Sequence, residues 1–569
     1  MDTVTYDMSQ LSESTPSFFV KKDYLSILDN SNGIYSSNQI IIDTSQLSNS
    51  NKWINYREGY LLMPLLVSMT SPNTATGLAL ATSTDFSISL KNWYGTIIHS
   101  ISLDLQGSTI IQQTPFQSLW NTFKLMTTLS YQSLVTESAT IGFYPDSSNS
   151  FSFNSVVTAG GIGVCNNSNL FVAPPVAGDI TTSKRDSFNK GFYERQRVWN
   201  FAYNQSVGLL SATPTYVTNS ALLSQANTSA IYKSNIIKKV PSAAGGAFGV
   251  WQCAIQAVVY LRHLHSFFDK MPLMKGIFFR LTLNINNSSS VVTYSAAGGS
   301  QTLKSVTCPL GGVNPLMIAS SLANNGSSAK TAGDYYYNIS VGAICLDSTI
   351  KAVAGIVDGP NRNVTLNVPA YTFNPVFENA YISNSVRKIE YEDIYQYQVL
   401  KVGKQTGMFN QLITNGISGI KSVLVLPFFS AAENGGVAPI QSPYDPSGGG
   451  TTSPLCMLNN FNVVISGMNT LYNSERYTYE QFIQQLNGQN AINGNLVDGI
   501  GSSLISQLDF ENSYCYYYVD VSRCLPIEVG VSKSVNIIGQ NISEKEIDLY
   551  VFISYSCSVT VDALLGQRL

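Results

Sequence analysis

Residues 98–126 read IHSISLDLQGSTIIQQTPFQSLWNTFKLM, and residues 459–486 read NNFNVVISGMNTLYNSERYTYEQFIQQL. In the first stretch Ile101, Leu103 and Leu105 alternate with Ser102 and Asp104, the period of a strand with one buried face. The run ends at Gly107. Thr114-Pro115-Phe116-Gln117 then predicts a helix start, with an N-cap Thr, Pro at the first helical position and Gln at the third. Phe116, Leu119, Trp120, Phe123 and Met126 follow on one face. The second stretch repeats the order: a strand into Gly467, the cap Thr478-Tyr479-Glu480-Gln481, and a stripe of Tyr479, Phe482, Ile483 and Leu486. Gly107 and Gly467 lie 360 positions apart. The same sequence of devices in each half predicts duplication of one β domain, with both helices docked on a sheet at the surface.

Alternation recurs through the chain. Val551, Ile553, Tyr555, Cys557, Val559 and Val561 alternate with Ser554, Ser556, Ser558 and Thr560, which predicts a long half-buried strand; Phe279, Leu281, Leu283 and Ile285 do the same. With 42 glycines and 21 prolines between such runs, the expectation is antiparallel sheet in sandwiches or barrels. A chain of 569 residues is long enough for two or more cores. The Ser-, Asn- and Gly-rich segment 286–335 reads as exposed loops around short strands, and a break at Asp358-Gly359-Pro360-Asn361 follows. The domain border is placed near residue 350, and segments 144–190, 208–248 and 432–454 read as long loops.

Only 12% of residues are charged, with 32 Lys and Arg against 35 Asp and Glu, net −3. No basic run offers the clustered cations that grip phosphate, so direct nucleic-acid binding is not expected. The first twenty residues lack a cationic start and an apolar block and do not read as a secretory signal. No stretch has the roughly 20 apolar residues of a spanning helix. Eight cysteines, including Cys253 and Cys557 inside apolar strands, form no Cys-x-x-Cys pair and suggest buried thiols in a reduced compartment.

Signals for catalysis are few. Of the three histidines, His263 and His265 would share one face of a strand, but a zinc site needs a third ligand, none lies nearby and His99 is the one candidate weighed, so the pair reads as two ordinary polar-face histidines. Glu390, Glu392 and Asp393 could hold a carboxylate pair or calcium, yet read as a strand flank with Asp393 opposite the two glutamates. The glycine pairs at 160, 245 and 311 lack a following helix and Lys, and no phosphate loop, serine elbow or dinucleotide fingerprint occurs. Thirty-two tyrosines, including Tyr335 to Tyr337 and Tyr514, Tyr516, Tyr517 and Tyr518, read as core or interface. Asn-x-Ser/Thr triplets such as Asn204-Gln205-Ser206 follow from composition. No catalytic, cofactor-binding or metal-ligating residue is assigned, and no enzyme is expected. A carbohydrate-binding jelly-roll lectin or receptor adhesin is the alternative reading; a β-sandwich glycosidase comes third.

Several segments resemble, in their order and spacing, the major capsid proteins of polinton-like viruses and virophages. They are VPAYTFNP (368–375), KIEYEDIYQYQV (388–399), NGISGIKSVLVLPFF (415–429), NNFNVVISG (459–467), YTYEQFIQQLNGQNAINGNL (477–496), YYYVDVSR (516–523), VNIIGQNIS (535–543) and SVTVDALLGQRL (558–569). Looser matches are YLLMPLLVSM (60–69), QTPFQSLWNTFKLM (113–126) and HLHSFFDKMPLMKGIFFRLTLNIN (263–286). The resemblance implies an all-β double jelly roll, two antiparallel eight-stranded sandwiches side by side with a few short surface helices. It further implies a homotrimer forming a pseudo-hexameric capsomer of an icosahedral dsDNA virus shell. Partners would be neighbouring capsomers, penton and minor capsid proteins, and the location the virion, after assembly inside the host cell. Residues 1–52 are expected to be an arm ordered only by a neighbour, 53–350 the first jelly roll and 351–569 the second.

Overall fold

The computed structural model describes residues 18–72 except 32, 34, 36 and 49, then 88–147, 151–153, 165–167, 191–192, 194–195, 236–239, 248–294, 301–318, 333–342, 363–472, 476–488, 504–522 and 530–569. Among the described residues, eight strands form the frame of the first half, with shorter strands added to it: β1 (Phe19–Leu28), β2 (Gln39–Asp43), β3 (Tyr60–Pro72), β4 (Ile98–Leu105), β5 (Ser108–Ile111), β6 (Phe248–Tyr260), β7 (Phe279–Ile285) and β8 (Thr365–Phe373). Eight more build the second: β9 (Val386–Val402), β10 (Gly407–Ile417), β11 (Ile420–Phe429), β12 (Leu458–Ile465), β13 (Met468–Asn469), β14 (Tyr517–Asp520), β15 (Lys533–Asn541) and β16 (Ile547–Asp562).

The first half pairs its strands as β1-β8-β3-β6 and β2-β7-β4-β5, the second as β9-β16-β11-β14 and β10-β15-β12-β13, with every pairing antiparallel. Counted from the start of each half, both are 1-8-3-6 over 2-7-4-5. That order, repeated, defines a double jelly roll. The alternation sets the register: Leu103 faces Leu281 across β4 and β7, Leu281 faces Ile42 across β7 and β2, and all three side chains are buried.

The two glycines hold the same place in each module. Gln106 and Gly107 sit at φ 49° and 84°, Ser466 and Gly467 at 49° and 86°. Two successive left-handed residues match the right-handed twist of a tight hairpin, here β4 to β5 and β12 to β13. A Cβ on either glycine would meet nothing within 4 Å, so glycine is required by the backbone angle rather than by crowding.

Helices α1 (Gln117–Thr128), α2 (Tyr131–Ile141), α3 (Pro375–Ile382), α4 (Tyr479–Gly488) and α5 (Gln507–Asn512) complete the frame. Only one expected capping box forms. At α4, Thr478 Oγ1 accepts from the Gln481 N–H at 3.5 Å and Gln481 Oε1 accepts from the Thr478 N–H at 3.3 Å. At α1 the left-handed Phe116 precedes the helix instead. The Thr114 hydroxyl donates to the Ile394 carbonyl of the second module at 2.9 Å, and Gln117 bonds Ile101 and Leu264. Nor is α1 a surface helix, since residues 117–123 are all buried.

Three expectations about segments change. Thr365–Phe373 lies beyond the border expected near 350, yet pairs with β1 and β3 and buries Leu366, Val368 and Ala370 in the first core. The pairing passes to the second module only after α3, where the Trp53 indole donates to Glu378 at 2.9 Å and Lys275 pairs with the same carboxylate at 3.1 Å. Within the expected arm 1–52, β1 and β2 are strands of the chain's own sheets. Segment 286–335 is not simply loop: Ser288–Tyr294, Gln301–Thr307 and Gly333–Val341 extend the first sheet. The polar side chains of Asn286 to Ser290 and Asn314 are buried with hydrogen-bond partners, Ser288 Oγ donating to Asn314 at 2.6 Å and Asn287 Nδ2 to Asn38 at 2.9 Å. The expected loops 144–190 and 208–248, the glycine pairs at 160 and 245 and Asn204-Gln205-Ser206 fall almost wholly outside the described residues.

Candidate assembly interface

The buried apolar side chains of both modules form one connected core, and the joint between them runs through α1. Phe116 meets Tyr550 at 5.0 Å between ring centroids, Trp120 meets Phe552 at 6.3 Å, and Phe123 sits 5.2 Å from Tyr516 and 5.4 Å from Tyr518. The predicted stripe is therefore real, but it faces the second module. β16 follows from this: Leu549, Val551 and Ile553 face their own core, while Tyr550 and Phe552 are covered by α1, so the centre of the expected half-buried strand is buried on both faces. Hydroxyls close the seam. Tyr391 donates to the Ile110 carbonyl at 2.8 Å, Ser266 to Glu392 at 2.6 Å and Tyr514 to Asp146 at 2.8 Å. The tyrosines expected in core or interface are there: Tyr335, Tyr337, Tyr514, Tyr516, Tyr517 and Tyr518 are all buried.

A buried lysine locks the same joint, and a buried arginine ties down the first module's side of it. Lys91, fully buried in the first module, donates to the carbonyls of Ile440 at 3.0 Å and Ser447 at 3.1 Å, and more distantly to Pro439 at 3.5 Å, all in the β11–β12 loop. Asp445 of that loop is buried and accepts from the Ser447 N–H at 2.8 Å. Burial raises its pKa, and the charge of Lys91 offsets only part of this. Arg195, 2% exposed, pairs with Asp146 at 2.6 Å and donates to the Leu90 carbonyl at 2.6 Å. Neither pair stood out in the sequence, because a lone Lys or Arg in a sparsely charged chain carries no spacing signal.

The structure does bring together the two clusters singled out in the sequence. His263, His265, Glu390 and Glu392 line a cleft of about 530 Å³ between the modules, with Lys124, Arg262, Lys270 and Lys421 on the same walls. The histidines are not on a strand. Leu261–Leu264 is a helical turn, drawn in by the buried Leu261 and Leu264, and His265 caps the next one, its Nδ1 accepting from the Phe267 N–H at 3.2 Å. Nδ1 thus lacks a proton, and Nε2 faces Asp393 Oδ1 at 3.4 Å. His99 packs edge-on to Phe116 at 5.2 Å. Among the described residues no three His, Cys, Asp or Glu side chains converge to hold a metal ion. Glu390 and Glu392 are exposed and half-buried, and Asp393 is buried. Lys388, 2.7 Å from Glu390, holds that carboxyl below its usual range, the reverse of what a general acid requires. Cys308, Cys456, Cys515 and Cys557 are free thiols, and burial pushes Cys515 and Cys557 up to about 11. That leaves them protonated and poorly nucleophilic at neutral pH.

Burial lowers His99 from 6.5 to about 4, and among the described residues its Nδ1 has no hydrogen-bond partner. Because the folded value lies below the unfolded one, the contribution is complete above 6.5 and is lost as pH falls towards 4. Between pH 7.5 and pH 5, His99 is expected to remove about 2 kcal/mol of stability. Urea unfolding at both pH values checks this: His99→Gln should lose that much less than the unaltered chain, and an equal loss in both would rule His99 out. Half-buried His263 is lowered in the same sense.

Comparison with solved structures returns viral shells. A chain of the Sputnik virophage, solved by cryo-EM, is 10% identical, with 98% of this chain and 89% of that chain covered at a TM-score of 0.48. The mavirus major capsid protein is 10% identical over 99% and 92% of the two chains, TM-score 0.45, and the Faustovirus major capsid protein 10% identical over 98% and 94%, TM-score 0.41. No family model matches the chain, and no curated protein does. Among the described residues no helix is long and apolar enough to cross a membrane.

Proposed function

We propose that the chain is a structural major capsid protein, three copies of which form a pseudo-hexagonal tile of an icosahedral dsDNA virus shell. The observation that carries this reading is the same eight-stranded module used twice, 1-8-3-6 over 2-7-4-5, with one module laid against the other through an aromatic helix. A fused pair of like modules makes three chains present six similar wedges, which is what a near-hexagonal tile needs. Sparse charge fits this role, because wide contact walls between copies bury whatever they carry and each unpaired charge is costly. The work of the protein is then assembly rather than catalysis, with neighbouring capsomers, penton and minor capsid proteins as partners and the virion as its location. The division between modules is set in residues 374–385, between β8 and β9. Negative-stain microscopy of the recombinant chain tests the reading: triangular or pseudo-hexagonal trimers are expected, and a stable monomer would overturn it.

A further inference from the structure

Two free thiols of the second module share one cavity. Cys456 stands just before β12 and Cys515 just before β14, so the pair spans the two sheets of that sandwich. Hydrogen bonds tie the two approaches together. The Leu455 N–H donates to the Asn512 carbonyl at 2.9 Å and the Cys515 N–H to Thr452 Oγ1 at 3.1 Å. The Tyr517 hydroxyl donates to the Cys456 carbonyl at 3.2 Å and accepts from the Leu458 N–H at 2.8 Å. The Cys515 sulfur lies beside the Cys456 N–H, within reach of a hydrogen bond, and the Cys456 thiol feels its charge. Both side chains are buried. Both also line a cavity of about 160 Å³ whose walls carry the exposed Arg476, Glu480 and Glu511, so the cavity reaches solvent.

We propose that Cys456 and Cys515 are a redox-sensitive pair, free in a reducing compartment and joined as a disulfide once the chain meets hydrogen peroxide. Cys515 reacts first, being slightly exposed and the less shifted of the two thiols. It gives its proton to solvent, its sulfur attacks one peroxide oxygen, and the O–O bond breaks with loss of hydroxide, leaving a sulfenic acid. Cys456 then loses its proton, its sulfur attacks the Cys515 sulfur, and the S–O bond breaks with loss of a second hydroxide. The two protons and two hydroxides make two waters, and the two electrons given up by the thiols are taken by the peroxide. With Cys515 pushed up to about 11, about one thiol in ten thousand is ionised at pH 7, so closure is slow. The bond is a staple set over time. It closes a loop that holds β12, β13, α4 and α5, and confining that loop in the unfolded chain stabilises the folded one. The inference stands apart from the capsid reading; within that reading, the staple closes once the shell has left a reducing cell.

The test treats the full chain with hydrogen peroxide at pH 8, removes the oxidant, and compares the product with a sample kept reduced by dithiothreitol. Peptide mass mapping without reductant is expected to find the Cys456 and Cys515 peptides linked and lighter by two hydrogens. In urea the oxidised chain should favour the folded form roughly a hundredfold more than the reduced chain, as closing a loop of this size implies. Cys456→Ser should abolish that difference. Each chain is compared with its own reduced form, so a variant that is simply weaker cannot imitate the result. Both peptides recovered unlinked, either one linked to another cysteine, or a difference that persists in Cys456→Ser overturns the pairing and leaves the capsid reading in place.

Discussion

Replacing Lys91 by methionine is expected to lower the stability of the chain by about 3–5 kcal/mol, the usual cost of leaving a buried charge and its acceptors without a partner. The ammonium is held by the Ile440 and Ser447 carbonyls at 3.0 and 3.1 Å, and no water can replace it because the site is fully buried. Methionine matches the volume and supplies no donor. The Asp445 carboxyl, already raised by burial, then loses the cation that opposes that rise. Adding Asp445→Asn to Lys91→Met should therefore recover part of the loss, since an amide can keep the acceptor facing Ser447 and carries no charge. Urea unfolding of the four chains forms a double-mutant cycle. Additive losses would mean that Lys91 and Asp445 do not act as a pair.

Phe123→Ala is expected to cost about 3–5 kcal/mol as well, from lost burial and the cavity left behind. Its ring is 1% exposed and touches Trp120, Tyr516 and Tyr518, so the hole opens inside the joint. The consequence is specific. Two modules coupled through one core should unfold together, and weakening the coupling should split the transition in two. Calorimetry of the variant is expected to show two separated peaks where the unaltered chain shows one. A single peak at an unchanged temperature would mean that α1 only decorates the seam.

The architecture was legible at the residues where local chemistry dictates geometry. The paired hairpin glycines were placed correctly because a left-handed turn between twisted strands leaves few residues to choose from. Leu103, Leu281 and Val551 were assigned to cores because period-two alternation is a property of the backbone itself. The Thr114 cap does not form for the opposite reason: left-handed Phe116 turns the helix start away from the threonine oxygen, and the hydroxyl donates instead to the Ile394 carbonyl in the second module. The His263 pair was misread similarly, since two buried leucines bend that segment into a turn that its β-like flanks do not announce. The candidate interface was half visible. Its aromatic stripe was in the sequence; the surface the stripe meets was not.

By itself the sequence determined that this protein is two like β modules with little charge, because strand period, tight turns and composition are written over a few residues at a time. Only the tertiary structure decided which faces those modules share and that Lys91 reaches across the joint to the Ile440 and Ser447 carbonyls. The reason is physical: whether Tyr550 meets water or Phe116 depends on residues far earlier in the chain, and no local pattern carries that information.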